Sequence, residues 1–259
     1  LDYCKKKKIK IASVPFYGEN TVAEFTFGLL INITRKIDQS IKRVKSGSFD
    51  FQGLKGIDLK GKTIGILGFG HIGQKFAKMC KGFDMNVIAY DPFADKLTDV
   101  AKSLDVKLMK FDDVLKKSDI ISIHMPLLPQ TKYILNKKAF DKMKKGVILL
   151  NTSRGGLINT KDLIYALDTG KIGFAGIDVL EAEDELKEQR MFIETNKQNL
   201  STYKLLIQNH ELIKRHNVYI TPHNAFNTQD ALLRIMNTTI ENIQNFKNKK
   251  EIKNLVVLK

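Results

Sequence analysis

Cysteine is nearly missing from this chain, with only Cys4 and Cys80 among 259 residues. Two cysteines cannot build a disulfide framework, and neither stands at metal-ligand spacing to a histidine, so both read as inert thiols and no metal site is expected. No apolar run reaches the roughly 18 residues of a membrane helix, and no charged-then-apolar leader with a cleavage site is present. The sequence therefore reads as soluble and cytoplasmic. Internal repeats, Pro-rich linkers and low-complexity tracts are missing too, which leaves ordinary globular packing in one large domain or two small ones.

Acidic residues are the scarcer charge. Against 43 Lys+Arg stand 28 Asp+Glu, a net +15 at which nucleic acid or an anionic membrane has to be considered. The lysines are dispersed, however; only Lys5 to Lys8 form a run, with no interleaved aromatics, zinc spacing or recognition-helix pattern beside them. Neither nucleic acid nor a membrane is expected as a partner, and the positive field would instead favour an anionic cofactor and substrate.

What is present begins with glycine. Thr63-Ile-Gly-Ile-Leu67 is an apolar run that feeds Gly68-Phe-Gly70-His-Ile-Gly73, and helical spacing continues from Gln74 to Phe83. In such a strand–turn–helix, Gly68 makes the tight turn, Gly70 lets the backbone approach a pyrophosphate, and Gly73 lets the helix pack on its strand. The implied ligand is a dinucleotide. A second strand ending in a carboxylate about 20 positions on completes the pattern, and Asn86-Val-Ile-Ala-Tyr-Asp91 supplies it 18 residues after Gly73 (91 − 73). Asp91 would accept the ribose hydroxyls and repel a 2′-phosphate, which favours NAD over NADP. With Pro92 following, Asp91 also opens a turn, and the two roles are compatible.

Beyond that unit, apolar strands alternate with amphipathic stretches, which implies βαβ units and an α/β fold with a mainly parallel, doubly wound sheet of Rossmann type. Candidate strands are 63–67, 87–90, 120–123, 147–151, 173–179 and 218–220. Long helices are expected at 20–42 and 228–246. Segment 181–215 is charged and reads as a largely helical, solvated surface excursion, with a lid or subunit contact as the alternative. The carboxyl ends of the strands lead into Asp91, His124 to Pro126, Thr152 to Gly156, Asp178 to Glu183 and Pro222 to Asn224, where ligands bind in such sheets.

Among the five histidines, His71 lies in the glycine turn and contributes through its backbone, His210 and His216 read as solvent-facing, and His124 as a cofactor wall or structural hydrogen-bonder. His223 differs. A short strand and Pro222 would hold its imidazole at the sheet edge, where it could transfer a proton or simply complete a turn. Arg154, on a glycine turn after a buried strand, could grip a carboxylate with its planar fork or form a surface ion pair. One of Asp178, Glu181 and Glu183 could bond the histidine and favour its protonated form, and spacing does not choose among them.

Taken in order, Val14-Pro-Phe-Tyr-Gly-Glu-Asn-Thr-Val-Ala-Glu-Phe-Thr26, the turn 68–73, Asn151-Thr-Ser-Arg-Gly-Gly156, Asp178-Val-Leu-Glu-Ala-Glu183 and Thr221-Pro-His-Asn-Ala-Phe226 resemble the D-isomer-specific 2-hydroxyacid dehydrogenases, D-lactate dehydrogenase-like branch. The resemblance runs from about residue 10 to the C-terminus. It implies hydride transfer between NAD and a small 2-oxo or D-2-hydroxy acid, with His223 as acid/base, Glu183 as its partner, and Arg154 binding the substrate carboxylate and carbonyl. It implies cofactor contacts from Gly68, Gly70, His71, Ile72, Gly73, Asp91, Met125, Pro126, Thr131, Thr152 and Asp178, with Met125, Pro126, Thr152 and Asp178 on the nicotinamide side. Residues 16–224 would form the NAD-binding domain, and 1–15 with 225–259 the remnants of a flavodoxin-like substrate domain. A homodimer through the 20–42 helix is expected from the same likeness. Family members open with most of the substrate lobe, whereas this chain opens at Leu1 near the crossover into the nucleotide domain. The catalytic lobe is therefore expected to be incomplete, and an NAD(H) sensor, corepressor-like protein or inactive fragment is the competing reading.

Overall fold

The computed structural model describes residues 2–183 and 200–256. It divides into two compact units, Val22–Ala225 and Leu1–Thr21 with Phe226–Lys259.

The larger unit is built on a seven-stranded sheet, β1 (Thr63–Leu67), β2 (Asn86–Tyr90), β3 (Lys107–Leu108), β4 (Ile120–Ile123), β5 (Val147–Asn151), β6 (Ile172–Ile177) and β7 (Val218–Ile220). All neighbours are parallel, in the order β3-β2-β1-β4-β5-β6-β7. The strands are almost wholly apolar because both faces are covered. Along β5, Val147 and Leu149 enter one core cluster while Ile148 and Leu150 enter the other, the two-residue alternation of a strand buried on both sides. One face is packed by α6 (Phe111–Lys117), α7 (Lys137–Lys142), α8 (Thr160–Asp168) and α9 (Leu200–Lys214), through residues such as Leu115, Phe140, Leu163 and Leu212. The other is packed by α2 (Glu19–Arg35), α4 (His71–Gly82) and α5 (Thr98–Ser103), through Leu30, Phe76 and Ala101. This is the doubly wound Rossmann architecture. Its topological switch lies between β1 and β4, where ligands enter at the carboxyl ends.

Three sequence expectations need correction. The helix expected over 20–42 is broken at Lys36, which is left-handed (φ 53°), so α2 stops at Arg35 and α3 (Ile37–Lys45) starts anew. The cause lies in the hydrogen bonds: Thr34 O accepts from Ile57 N at 3.0 Å, and Asp38 N donates instead to Asn32 Oδ1 at 2.9 Å. The excursion is not simply solvated, because Leu212 and Asn209 of α9 are buried, and Asn209 Nδ2 donates to Glu181 O at 2.8 Å. Residues 184–199 of that segment lie outside the described residues. The two-residue β3 falls where no strand was expected, since a pair that short carries no readable period.

The smaller unit holds α1 (Asp2–Lys6), α10 (Gln229–Lys247) and an antiparallel bridge between Ala12 and Leu255. Thr228 caps α10 by accepting from Ala231 N, and Arg234 donates from Nε to Tyr17 O at 2.8 Å.

Candidate active site

The glycine turn has the geometry its spacing implied. Gly68 is left-handed (φ 96°), and a Cβ there would lie 2.4 Å from His124 O. A Cβ on Gly73 would lie 2.2 Å from Gly68 O, so only hydrogen lets α4 start so close to its strand. Over Gly70 nothing stands within 4 Å, which leaves an open approach to the first turn of α4, where His71 and Ile72 lie. Backbone N–H groups at a helix N-terminus and the positive end of the helix dipole there suit a pyrophosphate, so the cradle fits a dinucleotide. Asp91 follows β2 directly, with its Oδ2 accepting from Phe69 N at 2.8 Å and its Oδ1 from Phe93 N at 2.9 Å. One bond ties the glycine turn to β2 and the other is the expected Asp-Pro turn. Each carboxylate oxygen keeps a lone pair for a ribose hydroxyl.

On the far side of the switch, β4 leads into His124, Met125 and Pro126. His124 is a half-buried structural residue: Ser122 Oγ lies 2.9 Å from Nε2, the ring packs against Phe76 at a tilt of 49°, and desolvation of the ring pulls its pKa down to about 3. Thr131 closes the next loop, donating to Pro126 O at 2.7 Å and accepting from Leu128 N at 2.7 Å. β5 ends in the buried Asn151, whose side chain accepts from Ser153 N at 3.1 Å and donates to Arg154 O at 3.0 Å. Arg154 stands exposed at the tip, with Nη1 donating to Ser153 O. A Cβ on Gly155 would sit 2.1 Å from the Leu180 carbonyl carbon, so its glycine seats the arginine loop directly against the loop after β6.

The three carboxylates that spacing could not separate have three different partners. Asp178, only 1 % exposed, accepts from Thr221 Oγ1 (2.5 Å), Asn224 N (3.0 Å) and Ala225 N (2.9 Å), and so fastens the loop that carries His223. Glu181 bonds Thr160 Oγ1 at 2.6 Å and the Tyr133 hydroxyl, and that bond, with burial, pushes Tyr133 up to about 12. Glu183 meets His223, with Oε1 2.5 Å from Nδ1, and accepts from Leu180 N at 3.3 Å. Left-handed Ala182 (φ 51°) turns the two glutamates apart, and left-handed His223 (φ 52°) presents its ring. Such conformations cost of order 1 kcal/mol for residues with a Cβ and persist only where surrounding bonds enforce them.

The structure thus joins Glu183 to His223, seats Arg154's loop on the loop leading to Glu183, and gathers these with the glycine turn, Met125 and Thr152 along one edge of the sheet. It also adds a residue that sequence reasoning passed over. Thr26 of α2 is wholly buried and bonds Thr152 Oγ1 at 2.7 Å. The available signal was a hydroxyl on the apolar face of a helix.

A parallel sheet with this turn, switch point and carboxylate defines a dinucleotide-binding Rossmann domain. Residues 27–225 match the family model for the NAD binding domain of the D-isomer specific 2-hydroxyacid dehydrogenases. The 2-hydroxyacid dehydrogenase homolog of Zymomonas mobilis is 38 % identical over 258 residues, covering 99 % of this chain and 75 % of that protein. Escherichia coli D-lactate dehydrogenase is 36 % identical over 245 residues, 95 % of this chain and 71 % of its own length. The crystal structure of Aquifex aeolicus D-lactate dehydrogenase complexed with NAD and lactic acid superposes with a TM-score of 0.87 at 32 % identity, over 100 % of this chain and 76 % of that one. The chain belongs to the D-isomer specific 2-hydroxyacid dehydrogenase family, an NAD-dependent oxidoreductase family acting on CH–OH groups, and its cofactor is NAD. No described helix is long and apolar enough to cross a membrane.

Proposed function

We propose that the chain interconverts a small 2-oxo acid, of pyruvate type, and its D-2-hydroxy acid. The observation that carries this reading is the Glu183–His223 pair at the carboxyl edge of an NAD fold. With Glu183 holding the ring through Nδ1, the imidazole gives a proton to the substrate carbonyl oxygen and takes it back in reverse. Asp178 holds the 221–225 loop so that this ring stays in place. Arg154, exposed on a short clamped loop, anchors the carboxylate and favours the charge that develops on the carbonyl oxygen. NAD supplies the hydride acceptor, and Gly68, Gly70, His71, Ile72, Gly73, Asp91, Met125, Pro126, Thr131, Thr152 and Asp178 are its proposed contacts. The smaller unit is proposed as part of a substrate domain, and the free thiols Cys4 and Cys80 suit a cytoplasmic site of action. A homodimer belongs to the same reading, since Ile37, Ile41 and Val44 of α3, with Phe49 (86 %) and Phe51 (76 %), expose an apolar surface beside α2 that a second copy would cover.

A cofactor sensor without turnover is the competing reading, because the relatives named above extend beyond the part this chain matches. NADH oxidation should be followed with a panel of 2-oxo acids, using the 259-residue chain and any further chain encoded with it. Turnover of at least one short 2-oxo acid is expected. NADH binding with no turnover in either form would favour the sensor.

A further inference from the structure

Thr152 is nine-tenths buried (7 % exposed) directly after β5, and Thr26 is wholly buried beneath it (0 %). Thr26 Oγ1 lies 2.7 Å from Val22 O and 2.7 Å from Thr152 Oγ1. A carbonyl oxygen can only accept, so the single proton of Thr26 goes to Val22 O. The second short contact then requires Thr152 to donate to Thr26. Thr152 is left with lone pairs and no proton for any other neighbour.

Its place in the sheet says which neighbour that is. Asp91 at the end of β2 marks the adenosine-ribose side, and the glycine turn after β1 marks the pyrophosphate. An extended dinucleotide continuing in that direction passes over the ends of β4 and β5, bringing its nicotinamide half to Thr152. A carboxamide offers a donor, its NH2, and an acceptor, its carbonyl oxygen, and an acceptor-only hydroxyl bonds just the former.

We propose that Thr26 is a positioning residue which, by taking the Thr152 hydroxyl proton, makes Thr152 an acceptor that recognises the NH2 group of the nicotinamide carboxamide. This rests on the reading that Thr152 lies on the nicotinamide side. Removing the Thr26 hydroxyl frees Thr152 to rotate and donate, so the site no longer distinguishes an NH2 from a group without protons.

The test compares Kd for NAD with Kd for its 3-acetylpyridine analogue, in which a methyl ketone replaces the carboxamide, by calorimetric titration without turnover. The native chain should bind the analogue about fivefold to tenfold more weakly, the effect of one unmade hydrogen bond. Thr26→Val should bring that ratio to within about twofold of one, Thr26→Ser should keep the native ratio, and Thr152→Val should lose it. Thr26→Ala repeats the measurement should valine fail to pack. A native ratio retained in Thr26→Val and Thr26→Ala but lost in Thr152→Val overturns the role of Thr26 and spares the placement of Thr152. A native ratio near one, unchanged in Thr152→Val, overturns both.

Discussion

Asp178→Asn should weaken the whole His223 loop. The carboxylate receives three hydrogen bonds, from Thr221 Oγ1 and Asn224 N on Oδ1 and from Ala225 N on Oδ2. An asparagine keeps one acceptor oxygen. Its less costly orientation preserves the two bonds on Oδ1 and points an NH2 at the Ala225 N–H, leaving two donors face to face in a site that is 1 % exposed. Losing one bond to a charged acceptor, with a donor left unmatched, costs about 2–3 kcal/mol. For a chain of this size that lowers Tm by about 4–10 °C. The loss falls on residues 221–225, where left-handed His223 has to be held against its own backbone preference, so kcat should fall at least about tenfold. Thermal unfolding and steady-state NADH oxidation read the two effects separately. A Tm within 1 °C of the native chain, together with unchanged kcat, would refute the reasoning.

Acid stability should depend on His124. Its folded pKa lies at about 3, below the unfolded value near 6.5, so the unfolded chain binds an extra proton between these values and stability falls as pH drops from about 6.5 towards 3, by up to about 1.4 kcal/mol per unit. His124→Gln should flatten that slope in urea titrations at pH 4–7, and an unchanged slope would contradict it. Burial would raise Asp119, but the Lys144 bond at 2.7 Å and Thr63 N outweigh it and hold the carboxyl below its usual value. Its contribution is therefore present above the ordinary aspartate range and lost as pH falls through the folded value. Because the pair is partly exposed, Lys144→Ala should cost no more than about 1 kcal/mol at pH 7 and progressively less as pH falls below the ordinary aspartate range, as paired melting curves would reveal. Asp91→Ser, which removes the charge proposed to repel a 2′-phosphate, should narrow the preference for NAD over NADP by about tenfold or more in direct binding, and an unaltered preference would remove Asp91 from that role.

Much of the larger unit was legible in the sequence because its strands are short apolar runs that end in glycine, proline or a carboxylate. β1, β4, β5 and β7 run over the expected residues, while β2 and β6 differ at their ends. β6 stops at Ile177 because Asp178 turns its side chain to residues 221–225. What could not be read depended on contacts distant in sequence. The break at Lys36 follows from Ile57 capturing Thr34 O. The partners of Asp178 and Glu183 lie 40 to 47 residues further on, and those of Glu181, Tyr133 and Thr160, lie 48 and 21 residues earlier. Periodicity carries no record of such pairings. The Thr26–Thr152 bond spans 126 positions and left only a polar residue on a buried helix face.

Glu183 and His223 are proposed as the proton-transfer pair of an NAD-dependent dehydrogenase. The measurement that reaches this proposal most directly is kcat of His223→Ala beside its Kd for NADH, against the native chain and with the 2-oxo acid that the native chain turns over. A fall in kcat of about 10²- to 10⁴-fold is expected, with Kd for NADH within about twofold of native. Full turnover in His223→Ala would contradict it.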